Sequence, residues 1–284
     1  MNQPTSVINA YRKTLYQQDT LPPMVNTVCE QARCPNRGEC FSNKTVTFLL
    51  LGSNCSRHCR FCGVPRGNLA HPPISPQELA GILETIQRFQ LRYVVLTSVT
   101  RDDLPDGGAS TFVEAMQAIH QLDPAIRIEV LTPDFRSNWS SIQSICKENP
   151  LVFNHNVEVV PRIFPLIRPE GDFETSLCIL RSIKQRFPHL ITKTGFMVGI
   201  GETNEEVYEL LRLIKDAQID RVTIGQYLRP TRQQIGVARY VTEQEFEAFA
   251  TVGHQLGLNV LAGSLVRSSY RAGEFNMRLP YVIE

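Results

Sequence analysis

The chain has 284 residues, 42% of them apolar and 20% charged, and a formal net charge of +1. That length and balance are those of a soluble globular protein with a self-sufficient core, and they argue against a small disulfide-stapled scaffold. No long basic run supports a nucleic-acid groove, and the longest apolar stretch, at 46–51, is far too short to span a membrane.

Residues 1–44 read as an irregular extension rich in Pro, Asn and Cys. The first twenty lack the apolar stretch and cleavage site of a secretory signal. A continuous apolar strand is expected at 46–51, ending at Gly52. Ser75-Pro76 then opens a helix with Leu79, Ile82, Leu83 and Ile86 on one face, an N-cap followed by Pro in the first turn. Further strands are expected at 93–99, 126–131, 151–160, 194–200 and 221–228. They alternate with helices at 109–121, 138–147, 174–187, 204–217 and 242–256, and 259–262 adds a short last strand.

Six strand–helix units in strict alternation imply a parallel sheet covered by helices. The near-continuous apolar strands suit burial on both faces. The expected fold is α/β, a partial (β/α)6 TIM-type barrel with an irregular cysteine-bearing N-terminal extension, and a doubly wound sheet is the alternative. The expected parts are the extension at 1–44, the barrel at 45–262 and a C-terminal segment at 263–284. In either fold the functional loops follow the C-terminal ends of the strands.

Six of the eight cysteines form two triplets, Cys29, Cys34 and Cys40 spaced C-x4-C-x5-C, and Cys55, Cys59 and Cys62 spaced C-x3-C-x2-C. Structural zinc takes four protein ligands, whereas a 4Fe–4S cubane held by three thiolates keeps one iron open. Two triplets therefore point to two cubanes in a reducing compartment, the cytoplasm. One zinc tetrathiolate is the alternative, and it strands two thiols. Cys146 and Cys178 read as ordinary packed thiols in helices.

Cys55-Ser-Arg-His-Cys59-Arg-Phe-Cys62 resembles the signature of the radical S-adenosylmethionine superfamily. Cys29-Glu-Gln-Ala-Arg-Cys34-Pro-Asn-Arg-Gly-Glu-Cys40 resembles the auxiliary-cluster motif of lipoyl synthases. Asp102-Asp103-Leu104-Pro105-Asp106-Gly107-Gly108, Leu131-Thr132-Pro133-Asp134-Phe135 and Arg267-Ser268-Ser269-Tyr270 continue that likeness over roughly residues 25 to 275. Phe41, where the family usually has Trp, and Gly52-Ser53-Asn54 before Cys55 depart from the pattern without replacing a ligand.

The resemblance implies insertion of two sulfurs, at carbons six and eight of an octanoyl group on a lysine of a lipoyl-carrier protein. That carrier would be a glycine cleavage H protein or a 2-oxoacid dehydrogenase lipoyl domain. It implies Cys55, Cys59 and Cys62 on the radical-generating 4Fe–4S cluster, and Cys29, Cys34, Cys40 and Ser269 on an auxiliary 4Fe–4S cluster that donates sulfide. It also implies S-adenosylmethionine, an electron donor such as flavodoxin or ferredoxin, and an iron–sulfur carrier protein. Other sulfur-inserting members, of the methylthiotransferase or biotin synthase type, are the nearest alternative; a non-catalytic electron carrier or zinc scaffold is the more distant one.

Candidate S-adenosylmethionine contacts come from strand ends. Thr97 and Ser98 close the second strand. Asn154, Asn156 and Glu158, spaced by two, would share one face of the fourth. Polar groups facing a barrel interior are costly unless they serve a ligand; a solvated face is the alternative. Gly199 and Gly201 with Glu202 resemble the adenine-side segment. His58 reads as a loop residue and Phe61 as packing against the cluster. Arg267 and Arg271 are open to pairing with a ligand carboxylate or to plain solvation.

Overall fold

The computed structural model describes residues 21–22, 25–31, 34, 36, 39–40, 43–67, 69 and 74–277. The readings made for the first twenty residues and for Phe41 lie outside that set.

Seven strands form one parallel sheet in sequential order: β1 (Thr45–Leu50), β2 (Tyr93–Ser98), β3 (Arg127–Leu131), β4 (Val152–Asn154), β5 (Ile191–Val198), β6 (Arg221–Gln226) and β7 (Asn259–Gly263). A doubly wound sheet reverses direction beside its first strand. The unbroken order rules that out and leaves a barrel-like sheet whose first and last strands do not pair. Helices fill the crossovers. Before β1 lies α1 (Val28–Gln31). Then come α2 (Pro76–Phe89), α3 (Ala109–Leu122), α4 (Trp139–Lys147), α5 (Phe164–Ile167), α6 (Phe173–Arg186), α7 (Asn204–Asp216) and α8 (Glu243–Gln255). The last helix, α9 (Ala272–Met277), follows β7.

Local chemistry fixes the helix starts. The Ser75 hydroxyl accepts from the Glu78 amide, and Thr203 and Thr242 each form a reciprocal capping box with a Glu three residues on. Outward strand residues such as Phe48, Leu50, Val94, Leu96, Val130 and Ile224 are buried beneath these helices.

Two expectations need correction. The strand foreseen at 151–160 ends at Asn154, so Asn156 and Glu158 stand in the loop beyond it. Val157, Val159 and Val160 are apolar because they pack in the core, not because they extend the ladder. Glu158 takes a left-handed backbone with φ of 66° and rejoins β5 through a single bridge to Phe196. Cys146 is buried as expected, but Cys178 is exposed, on the outward side of α6.

Inside the sheet, the inward side chains near the strand starts are polar. Lys193 donates to the Glu129 carboxylate at 2.9 Å, and both are fully buried. Tyr93, Asn154 and Asn276 also donate to Glu129, at 2.8, 2.9 and 2.7 Å. Arg221 donates to the Phe275 carbonyl. Helix α9 thus closes the sheet from within, its Ala272 against Tyr93 and Val95. A buried charge must be paired and hydrogen-bonded to persist. This layer meets that condition and forms a floor under the space at the strand ends.

Candidate functional site

The second cysteine triplet occupies the loop after β1, at the end where α/β folds carry their sites. Backbone bonds pin it from several sides. Cys55 N–H donates to Pro65 O, Ser56 N–H to Thr100 O, and Arg60 N–H to Ile167 O. The Cys55 sulfur accepts from the Arg57 amide and the Cys62 sulfur from the Val64 amide, each at 3.5 Å.

Arg57 turns away from the thiols into a buried ion network. Its guanidinium grips Asp102 at 2.7 and 2.9 Å and Asp134 at 2.5 and 2.7 Å. Arg168 adds a third contact to Asp134 at 3.1 Å and donates to the Asn156 carbonyl. Although burial opposes its charge, Asp134 is held well below the usual carboxylate range by Arg57 and the other cations around it. The loops after β1, β2 and β3 are therefore tied at one point. None of these four residues was assigned a role from the sequence.

The first triplet lies against β1 and the C-terminal segment. Thr27 bridges Phe48, and Cys34 N–H donates to Cys29 O at 3.0 Å. Asn36 donates to Leu265 O at 2.5 Å, while the Tyr270 hydroxyl and the Arg271 guanidinium both donate to Glu39. Arg271, left open from the sequence, is thus paired within the chain. The Ser268 hydroxyl donates to Asn156 Oδ1 at 2.8 Å.

Glycines make room for this segment. A Cβ on Gly225 would stand 2.1 Å from the Val266 carbonyl, and one on Gly195 would stand 2.8 Å from the Ser268 hydroxyl.

A cavity of about 350 Å³ opens between these parts. Cys29 and Cys34, Cys55, Cys59 and Cys62, and Ser268 and Ser269 all face it. Cys40 lies off its wall, yet close enough to Cys34 for the two thiols to interact. No cysteine is in a disulfide. Burial pushes the Cys34 thiol up, those of Cys40 and Cys59 up to about 12, and that of Cys62 up to about 11. Without a cation these groups stay protonated; a bound metal would ionise them.

The other expected residues divide. Thr97, Ser98, Asn156 and Glu158 line the cavity. The Thr97 hydroxyl donates to Leu131 O at 2.7 Å, whereas the Ser98 hydroxyl is buried without a protein partner. Thr132, which the sequence reading passed over, offers a second such hydroxyl on the same wall. Burial raises the Glu158 carboxyl, and Arg168 partly offsets it.

Asn154 does not reach the cavity, because its amide serves Glu129 in the floor. Gly199, Gly201 and Glu202 also lie off the wall, and the Glu202 carboxylate accepts from the Gly199 and Ile200 amides. That is a loop-building task. Phe61 faces the cavity, and His58 is exposed beside Glu170. The Asn154 reading failed because inward polar groups on a strand can satisfy one another as well as a ligand.

Comparison with known proteins decides the family. The Radical SAM superfamily profile matches residues 49–214. A lipoyl synthase of Caldanaerobacter subterraneus subsp. tengcongensis is 48% identical over 250 residues, covering 87% of this chain and 87% of that protein. The chain belongs to the lipoyl synthase family. A Haemophilus influenzae lipoyl synthase is likewise 48% identical, covering 87% of this chain and 78% of that protein. Among solved structures, methylornithine synthase shares the fold, with a TM-score of 0.59 at 14% identity over 92% of this chain and 72% of that one. Among the described residues no helix is long and apolar enough to cross a membrane.

As a member of the radical S-adenosylmethionine superfamily, this chain would take a 4Fe–4S cluster and S-adenosylmethionine. The residues present fit both. Three thiols close enough to interact stand at one wall of the cavity, and its lining residues include Ser98 and Thr132, whose buried hydroxyls have no protein partner. Among the described residues, no three His, Cys, Asp or Glu side chains converge on a single-ion site.

Proposed function

We propose that this chain inserts two sulfur atoms, at carbons six and eight, into an octanoyl group on a lysine of a lipoyl-carrier protein, working in the cytoplasm. The carrier would be a glycine cleavage H protein or a 2-oxoacid dehydrogenase lipoyl domain. One observation carries the reading: thiols of both triplets and Ser269 face a single cavity. Two 4Fe–4S clusters, on Cys55, Cys59 and Cys62 and on Cys29, Cys34, Cys40 and Ser269, would supply radical generation from S-adenosylmethionine and sulfide for insertion.

The chain's own groups suit that task. Val28, Leu49, Phe61, Leu131 and Met197 give the cavity an apolar lining that can receive an alkyl chain. The same side chains keep water from a site where stray hydrogen donors end radical chemistry. The unpartnered buried hydroxyls of Ser98 and Thr132, beside the cavity, are groups that a small rotation would turn toward polar atoms of S-adenosylmethionine. Asn156 keeps Ser268, and with it Ser269, at the cavity wall. The Ser269 oxygen is a harder donor than a thiolate, hence a poorer partner for iron in a sulfur-rich set. A ligand held weakly can be released when a sulfide is given up.

Anaerobic turnover on an octanoyl-lysine peptide, followed by mass spectrometry, tests the proposal. Products carrying one and then two sulfurs support it. S-adenosylmethionine cleavage without any sulfur-bearing product refutes it.

A further inference from the structure

The outer side of the second triplet's loop is unusually basic for a chain with a net charge of only +1. Arg60 lies within the loop, exposed, between Cys59 and Phe61. Arg66, also exposed, pairs through its backbone with Cys55 and donates to the Cys59 carbonyl at 3.5 Å. The loop after β6 packs directly onto this one. Ile235 N–H donates to the Arg60 carbonyl at 3.1 Å, and Pro230 sits so close that a Cβ on Gly63 would stand 2.9 Å from it. That second loop adds Arg229 and Arg232, both exposed, with the Arg229 guanidinium folded onto the carbonyls of Gln234 and Arg232.

None of the four arginines has a carboxylate partner among the described residues. The carboxylates that do meet this loop are engaged elsewhere on it: Glu170 by His58 at 2.8 Å, and Asp102 and Asp134 by Arg57. Four unneutralised cations on two mutually packed loops make a concentrated positive field. Its location matters more than its strength: it covers the backbone that holds Cys55, Cys59 and Cys62.

Resting on the function proposed above, we infer that Arg60, Arg66, Arg229 and Arg232 form the docking face for an acidic one-electron carrier protein. Each cleavage of S-adenosylmethionine consumes one electron. The carrier is oxidised by one electron, and the carbon–sulfur bond that breaks takes it up. Delivery through the Cys55–Cys62 loop is the short route, because Arg66 and Arg60 touch or belong to that loop. The carrier of the octanoyl group has a different need, a path for a long alkyl chain into the apolar cavity. Charged, transient contacts of modest area suit an electron carrier, which must leave after each transfer.

The test compares reconstituted wild-type protein with the double variant Arg60→Glu/Arg232→Glu and with Arg60→Lys/Arg232→Lys, using flavodoxin as the probe. The dissociation constant is measured at low salt and at about 0.5 M salt, where screening is strong. The inference expects the Glu pair to weaken low-salt binding about tenfold or more and to flatten its salt dependence, with the Lys pair near wild type. Iron content and dithionite-driven 5′-deoxyadenosine formation should be unchanged in both variants.

Unchanged flavodoxin binding overturns the inference. So does a loss confined to affinity for the octanoylated carrier, or a loss of iron that accompanies weaker binding. Failure of the wild-type protein to cleave S-adenosylmethionine with dithionite strikes the functional reading alone, since the binding constants still decide the docking face.

Discussion

Arg57 and Asp134, 77 positions apart in sequence, meet through two hydrogen bonds of 2.5 and 2.7 Å, with both side chains almost wholly buried. The contact joins the loop that carries three of the thiols to the loop after β3. Asp102 shares the same guanidinium, so one side chain sets the spacing of three loops.

Arg57→Ala leaves the part-exposed Asp102 without its cation and the buried Asp134 with Arg168 alone. Loss of one partner of a buried pair costs about 3–5 kcal/mol, so the variant should lose that much stability. It should also retain less iron at the second triplet. Arg57→Lys keeps the charge but cannot grip two carboxylates in a planar fork. It should fall between the two in urea denaturation and in iron content after reconstitution.

His155 should make stability depend on pH. Its Nδ1 lies 2.8 Å from the Thr132 carbonyl, which can only accept, so that nitrogen carries the proton of the neutral ring. Burial, helped by Arg168, lowers its pKa from 6.5 to about 4. The unfolded chain therefore takes up the extra proton between about pH 6.5 and 4. The contribution is complete above that window and is lost as pH falls through it. Its ceiling is about 3 kcal/mol, at 1.36 kcal/mol per pH unit. The unfolding free energy from urea titrations should fall between pH 7 and 4 by up to that much more in wild type than in His155→Gln; parallel profiles would remove His155 as the cause.

Ser269→Cys replaces a hard oxygen with a soft thiolate on the cavity wall. The exchange should tighten that ligand and slow its release. Expected is S-adenosylmethionine cleavage near wild-type rate with the two-sulfur product sharply reduced, as read by mass spectrometry. Unimpaired double insertion would show that ligand release at Ser269 is not needed.

Gly225→Ala should act on function from beneath. The new methyl would meet the Val266 carbonyl, which is backbone and cannot swing aside. The segment bearing Ser268 and Ser269 must shift, at about 1–3 kcal/mol, the usual cost of overpacking. Product formation should drop more than cleavage of S-adenosylmethionine, because the strain falls on the Ser269 side of the cavity. Equal losses in both would point to general unfolding instead.

Much of this architecture was readable in the chain. Strands buried on both faces announce themselves as apolar runs, and Ser75, Thr203 and Thr242 mark helix starts by their capping chemistry. The fourth strand was overlong in that reading, because Val157, Val159 and Val160 are core residues outside any ladder. Helix α5, at four residues, is too short for a periodicity to reveal. The grouping of the cysteines was legible because their spacing is local, and five of the six triplet thiols do line one cavity. The grip of Arg57 on Asp102 and Asp134 was not, since it exists only once separate strand ends converge. Asn154 misled for a related reason: its partner Glu129 sits on the neighbouring strand, and Asn276 and Lys193 arrive from further still.

Helix α9 carries a consequence for timing. During synthesis the strands emerge in order, yet the base of their enclosure is supplied by residues that follow them all. Until 264–277 have left the ribosome, the thiols stand around an open-ended tube. On the function proposed above, iron and sulfide delivered earlier would find neither Ser269 nor the floor that α9 supplies, so cluster assembly would follow translation of 264–277.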